Sequence, residues 1–196
     1  MQHSGNGDNS IRIAVVTTAE QLSHVFAIRA ICFYEELDLT GEQAFDGNDY
    51  QSTHIIIYSG NDPIGASRIR WFRDFAKIER SGFRKAYRNA RNLRQVGRFM
   101  FEHIAAKGYS TIVTHAEPEL AQMWCRLLGF QRTPGRPLFE AANHPACIEL
   151  VKTVEVPDNA ISLMSDPKLL FRVEGYWDVP GAFEMAEVKW TPEKHG

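Results

Sequence analysis

A chain of 196 residues, 44% hydrophobic and 23% charged, with a formal net charge of −2, has the length and composition of one globular domain with a real core. Its strongest apolar runs are as short as "HIIIY", far below the length a membrane-spanning helix needs. Cys32, Cys125 and Cys147 are odd in number and form no CxxC pair, which points to a reducing, cytoplasmic setting.

The polar opening "MQHSGNGDNS" lacks the apolar centre of a signal peptide, so residues 1–10 read as a disordered leader. "IRIAVVTT" (11–18) is rich in β-branched residues and predicts a strand. Thr18 and Gln21 then fit a capping box, and Leu22, Val25, Phe26, Ile28 (or Arg29), Cys32 and Phe33 follow at helical spacing. "THIIIYSGNDPIGASRIRWF" (53–72) predicts two strands around a turn at "GNDP", and "FAKIERSGF" (75–83) a third antiparallel partner.

The clearest helix runs from about Ala90 to Lys107. Leu93, Val96, Gly97, Met100 and Ile104 make one stripe, Arg91, Arg94 and Arg98 lie opposite, and Gly108 ends it. "YSTIVTH" (109–115) reads as a strand, and "EPELAQMWCRLLGF" as a helix opened by Pro118 and closed by Gly129. "ACIELVKTVEV" (146–156) is the last strand; beyond Pro157 the pattern breaks into short pieces. The domain therefore spans 11–156, with 157–196 an extension packed on it. There, Phe171, Tyr176, Trp177, Phe183 and Trp190 are expected to cover a sheet edge or an apolar pocket. This order of elements predicts an α/β (α+β) fold, a mixed sheet with helices on its faces.

Charge is balanced over the chain but not along it. Between Arg68 and Arg98 stand eleven Lys or Arg against two acids, Asp74 and Glu79. A phosphate-bearing or acidic partner is one reading, and a solvated face balanced by distant acids is the other.

A strand ending at Phe83, an arginine five positions on at Arg88, and a helix closing at Gly108 together resemble the central motif of the GNAT superfamily of N-acyltransferases. "AQMWCRLLGF" is similar to that family's A-x-x-x-Y-x-x-x-G-F, with Cys125 where the tyrosine would be. The resemblance covers Ile11 to Val156. It implies a mostly antiparallel sheet splayed in the middle, with acyl-CoA or acyl-phosphopantetheine as co-substrate and a small-molecule amine as acceptor. The donor would lie against Ser81, Gly82 and Phe83 and the loop Arg88, Asn89, Ala90, Arg91, Asn92, Leu93 and Arg94. Asn89, Arg91 and Leu93 occupy the places of the family's phosphate-gripping glycines. Glycines let backbone amides approach a pyrophosphate closely; here Arg88 and Arg91 bring side-chain charge instead.

Acyl-homoserine-lactone synthases and N-acyl amino acid synthases form a branch that often lacks those glycines and draws on acyl carrier protein. "RAICF" resembles the branch's R-x-x-x-F, "DGND" its D-x-x-D, "GASR" its G-x-x-R, and "ER" its strand arginine. These carry over as Arg29 and Phe33, Asp46 and Asp49, Arg68, and Arg80, implying a polar network around the acceptor. The branch's strand glutamate falls at Lys77, and its tryptophan after R-x-x-x-F is absent.

Acyl transfer needs a deprotonated amine, a polarised carbonyl and a neutralised thiolate. Glu79 is the candidate base, its pKa expected to rise if half-buried; the competing reading is an ion pair with Lys77 or an arginine. An amide at Ser81–Phe83, with a bulge suggested by Gly82, would polarise the carbonyl. Cys125 is a candidate acid, or else a packed core cysteine. Asp46 and Asp49 also fit loop and cap roles. His54 and His115 read as strand-end residues with surface or core roles, and no metal-ligand spacing occurs. Two other functions compete: a GNAT-fold acyl-CoA sensor without catalysis, and nucleic-acid binding through the basic segment with Trp71, Phe72 and Tyr87. The negative net charge and the lack of any nucleic-acid motif speak against the latter.

Overall fold

The computed structural model describes residues 10–141 and 144–187; the expected leader up to residue 9, and Trp190, lie outside them. β1 (Ile11–Val15) pairs antiparallel with β2 (Thr53–Ser59), β2 with β3 (Asp62–Trp71), and β3 with β4 (Ala76–Phe83). β4 then meets β5 (Thr111–Ala116) in parallel through two residue pairs alone, Ala76 with Ile112 and Lys77 with Val113. Beyond Lys77 the strands part. This is the expected splay.

Past the split, β5 pairs antiparallel with β8 (His144–Thr153), which also pairs with the short β6 (Gln131–Arg132) and β7 (Phe139–Ala141). Two- and three-residue strands carry too little pattern to read from sequence, and neither was expected.

Both faces are covered, which explains why β2 is buried from Thr53 to Tyr58. Ile56 and Tyr58 join Val25 and Ile28 of α1 (Ala19–Arg29) on one face. Ile55 and Ile57 join Val96, Met100 and Ile104 of α3 (Ala90–Ala106) and Trp124 and Leu128 of α4 (Pro118–Leu128) on the other. Alternation along one strand thus feeds two cores. α1 starts at the expected Thr18 cap, which accepts from Gln21 N, while the Gln21 side chain accepts from Thr17 N rather than from Thr18. Its continuation is not α-helical: Ala30–Glu35 form one π-helical turn that carries Cys32 and Phe33. α2 (Gly41–Ala44) follows.

Residues past Pro157 return over α3 and β1. Ile161 N donates to Ala106 O, Glu174 meets Thr53, His103 and Lys107, and Trp177 stacks on His103. Phe171 and Phe183 pack on each other and stay exposed. α5 (Ala182–Glu187) closes the described chain.

Candidate active site

The splay opens a cavity of about 520 Å³. Lys77, Glu79, Arg80 and Ser81 of β4 form one wall, and Thr114, His115 and Ala116 of β5 with Glu117 form the other. Phe33, Leu120, Trp124 and Phe139 add apolar surface.

β4 is bent beside it. Arg68 opposes Glu79 and Ala66 opposes Gly82, so Arg80 and Ser81 together face Ser67 alone. Arg80 sits at φ 52°, a left-handed conformation costly for a residue with a side chain. Its guanidinium donates to Gln43 O (2.7 Å) and Asp46 Oδ2 (3.1 Å), and Ser81 Oγ meets Ser67 Oγ at 2.6 Å. The bulge therefore falls on Arg80–Ser81, ahead of the expected Gly82. Gly82 is small for another reason: a Cβ there would come 3.1 Å from Cys32 Cβ.

Behind the wall lies a charged network. Arg68 donates to Asp46 (2.7 Å to each oxygen), Asp49 (2.9 Å) and Glu79 (2.5 Å), and Arg29 donates to Asp49 and to Ala44 O. His54 Nε2 lies 2.9 Å from Asp49 O. The structure brings together Arg29, Asp46, Asp49, Arg68 and Arg80, as the motifs implied. Yet Arg29 and Arg68 are 1% and 0% exposed and do not line the cavity, nor do Asp46 and Asp49. They brace the wall; of the six residues expected to touch acceptor, Phe33 and Arg80 alone line the space.

Glu79 lines the cavity, but its expected pKa shift is reversed. Burial pushes the carboxyl up, while Lys77 (Nζ 3.0 Å away) and Arg68 pull it further down, leaving it below the ordinary glutamate value. The ion-pair reading holds, and a base so stabilised accepts protons poorly. For Asp46 burial likewise opposes ionisation, and Arg68 with the Asn48 amide overcomes it. Cys125 packs against the main core and does not line the cavity. Glu117, Leu120 and Trp124 share the helical row that faces it; Cys125 sits on the next.

At the start of α3, Asn89 is the N-cap, its Oδ1 accepting from Asn92 N at 2.8 Å. That takes one amide a phosphate would use. The Ala90 and Arg91 amides have no intrachain acceptor among the described residues. Arg88 is not mobile charge: Nε donates to Phe83 O (2.8 Å) and Nη2 pairs with Glu36. Leu93 packs into the core, and Arg91 and Arg94 are exposed.

The cavity is also lined by His115, for which a surface or core role was expected, and by Glu117, which no motif singled out. Position was the available signal, since both stand at or just past the end of β5, where it has parted from β4. His115 packs against Phe139, and Nε2 is 3.6 Å from Glu149 Oε2. Burial lowers its pKa and Lys77 lowers it further, against opposing effects of Glu149 and Glu79.

No family model matches the chain. Over 80 residues it is 31% identical to the uncharacterized N-acetyltransferase YjcF of Bacillus subtilis, a match covering 41% of this chain and 57% of YjcF. The chain thus spans little more than half the length of that relative. Among solved structures, a putative N-acetyltransferase from Lactobacillus plantarum superposes with a TM-score of 0.66 at 23% identity, over 74% of this chain and 99% of that one. The N-acyl amino acid synthase FeeM from uncultured soil microbes gives 0.62 at 11% identity, over 79% and 94%. A GNAT family acetyltransferase from Elizabethkingia anophelis, with acetyl-CoA bound, gives 0.57 at 16%, over 75% and 99%.

Proposed function

From the GNAT fold that this chain has, we infer an N-acyltransferase that moves an acyl group from a phosphopantetheine thioester to the amine of a small molecule. The observation that carries this reading is the open seam between β4 and β5. Past Lys77 the β4 backbone faces a gap instead of a partner strand. An extended thioester arm with amides of its own can add to such an edge as a strand would. Its reactive end then reaches the cavity wall at Arg80 and Ser81, where the bulge turns backbone amides out of the ladder to meet a developing oxyanion.

The donor's other end lies toward α3. The free Ala90 and Arg91 amides and the helix dipole suit a phosphate, with Arg91 and Arg94 adding charge. The Asn89 cap removes one amide from that grip, which favours a carrier-borne phosphopantetheine over the pyrophosphate of free coenzyme A. The acetyl-CoA complex of the Elizabethkingia protein supports the other choice, acyl-CoA, for this fold.

Titration with acetyl-CoA, long-chain acyl-CoA and acyl carrier protein tests both levels, with thiol release followed as amines are added. Carrier or long-chain thioester is expected to bind more tightly than acetyl-CoA and to release thiol only with amine. Equal affinity for acetyl-CoA would overturn the carrier preference. Binding without thiol release under any amine would mark a ligand sensor.

A further inference from the structure

One charged group that lines the cavity is unpaired among the described residues. Glu79 is held by Lys77 and Arg68, which in turn spends Lys77. Glu149 of β8 lies 3.4 Å from Arg136 and 3.6 Å from His115, and Arg80 is tied to Gln43 and Asp46. Glu117 lines the same space at the N-cap of α4, and its carboxylate has no ion pair or hydrogen bond among the described residues. The unspent charge is negative. Beside it, Leu37, Leu120 and Phe139 are about half exposed, at 55%, 45% and 54%, although they line the cavity. Such apolar surface is free to receive a ligand's body.

Resting on the acyl-transfer reading, we propose that the acceptor is a cationic primary amine on an apolar alkyl or aryl body, its ammonium held by Glu117 and its proton taken by His115. His115, near the end of β5, and Glu117, just past it, both line the cavity, so one bound nitrogen can lie against both. The imidazole faces Lys77 and Glu79 across the gap, Glu149 and Cys147 on β8, and Glu117 on its own side. Burial and Lys77 keep it below the ordinary imidazole pKa, hence neutral and able to accept.

The step balances. One ammonium proton passes through His115 to solvent, and the free amine attacks the thioester carbon. The C–N bond forms, the C–S bond breaks, and a second nitrogen proton, again through His115, neutralises the departing thiolate. The products are one amide, one thiol and one proton.

Phenethylamine and phenylalanine, which differ by a carboxylate beside the amine, are the probes, with whichever thioester binds as donor. The wild type is expected to favour phenethylamine by about tenfold or more in kcat/KM, since the carboxylate would face Glu117. Glu117→Gln should raise KM and the calorimetric Kd for phenethylamine by roughly tenfold, leaving kcat near its wild-type value. Glu117→Asp should restore most of that affinity. His115→Gln should lower kcat by about a hundredfold, and remove the limb on which rate rises with pH as the imidazole deprotonates. Thioester affinity, unchanged in every variant, reports a folded donor site. If no thioester binds the wild type, the acyl-transfer reading fails and this proposal with it. If thioesters bind but Glu117→Gln leaves phenethylamine's KM and Kd unchanged, or phenylalanine is preferred, the acceptor assignment alone is wrong.

Discussion

A guanidinium with no exposure, such as that of Arg68, stays charged because Asp46, Glu79 and Asp49 more than offset its burial and hold its pKa above the ordinary arginine value. Replacing it with methionine keeps the bulk and strands those carboxylates, at a cost of about 3–5 kcal/mol. Urea unfolding at pH 7 reads this. The sign of its pH dependence follows from the native pairs. Asp46 and Glu79 have depressed pKa values, so their contribution is present above the unfolded carboxylate range and is lost as pH falls through the lower native values. In Arg68→Met the part of that depression due to Arg68 is lost, Lys77 and Arg80 keeping the rest, and the deficit relative to wild type should shrink toward pH 4, where the stranded acids can protonate. A deficit constant with pH would mean that packing, not charge, is what Arg68 supplies. The motif residues of this network were legible from their resemblance to a known pattern. What they do was not. Glu79 is opposed by Arg68 in the β3–β4 register, and neither that register nor complete burial is written in the spacing "GASR…ER".

Elements with a repeating face were readable and those held by single contacts were not. α3 shows its stripe at 3.6 spacing, and its observed bounds, Ala90–Ala106, lie within a residue of the expected ones. The extension past Pro157 has no period, because its docking depends on isolated residues. Glu174 accepts from Thr53 and Lys107 and pairs with His103. Gly175 follows at φ +81°, where an added Cβ would lie 2.4 Å from Val15 Cγ2. Gly175→Ala should therefore lift this segment, through a left-handed penalty of about 1–2 kcal/mol and the clash with β1. Faster limited proteolysis within 157–187, with cleavage within 11–156 unchanged, is the expected result; equal rates would show that the contact with β1 does not hold the extension down. Glu174 adds a pH test. Burial pushes its carboxyl up, but His103, Lys107 and Thr53 together bring it to about 2. Its contribution to docking is present above the ordinary value of about 4.5 and is lost as pH falls toward the native one. Pepsin cleavage of the extension should rise across that window in the wild type and be insensitive to it in Glu174→Gln.

At the scale of the molecule, the splay was legible as two strand ends joined by the helix between them, but the cavity was not, because β7 furnishes part of its lining from a region with little pattern. The charge distribution was legible as a count, and the structure changes its meaning. Six Lys or Arg stand between 84 and 98 without an acid, in a chain of net charge −2. Several are engaged: Arg84 donates to Pro63 O, Arg88 pairs with Glu36, and Arg98 with Glu102. Arg91 and Arg94, exposed in the first turns of α3, have no ion pair among the described residues and stand beside the free amides of the helix start. Wild-type affinity for a long-chain thioester donor should fall as salt rises, since screening shortens from about 10 Å at 0.1 M to about 3 Å at 1 M. Reversing both charges, Arg91→Glu with Arg94→Glu, should weaken donor binding at low salt and flatten that dependence. Helix damage does not mimic this, because Glu at position 91 favours the helix dipole and Glu at 94 has a helix propensity close to that of Arg. Arg98→Glu, two turns further on, should leave the salt dependence near wild type. If the double reversal changes neither affinity nor slope, Arg91 and Arg94 serve only to solvate α3, and the donor's charge is met elsewhere.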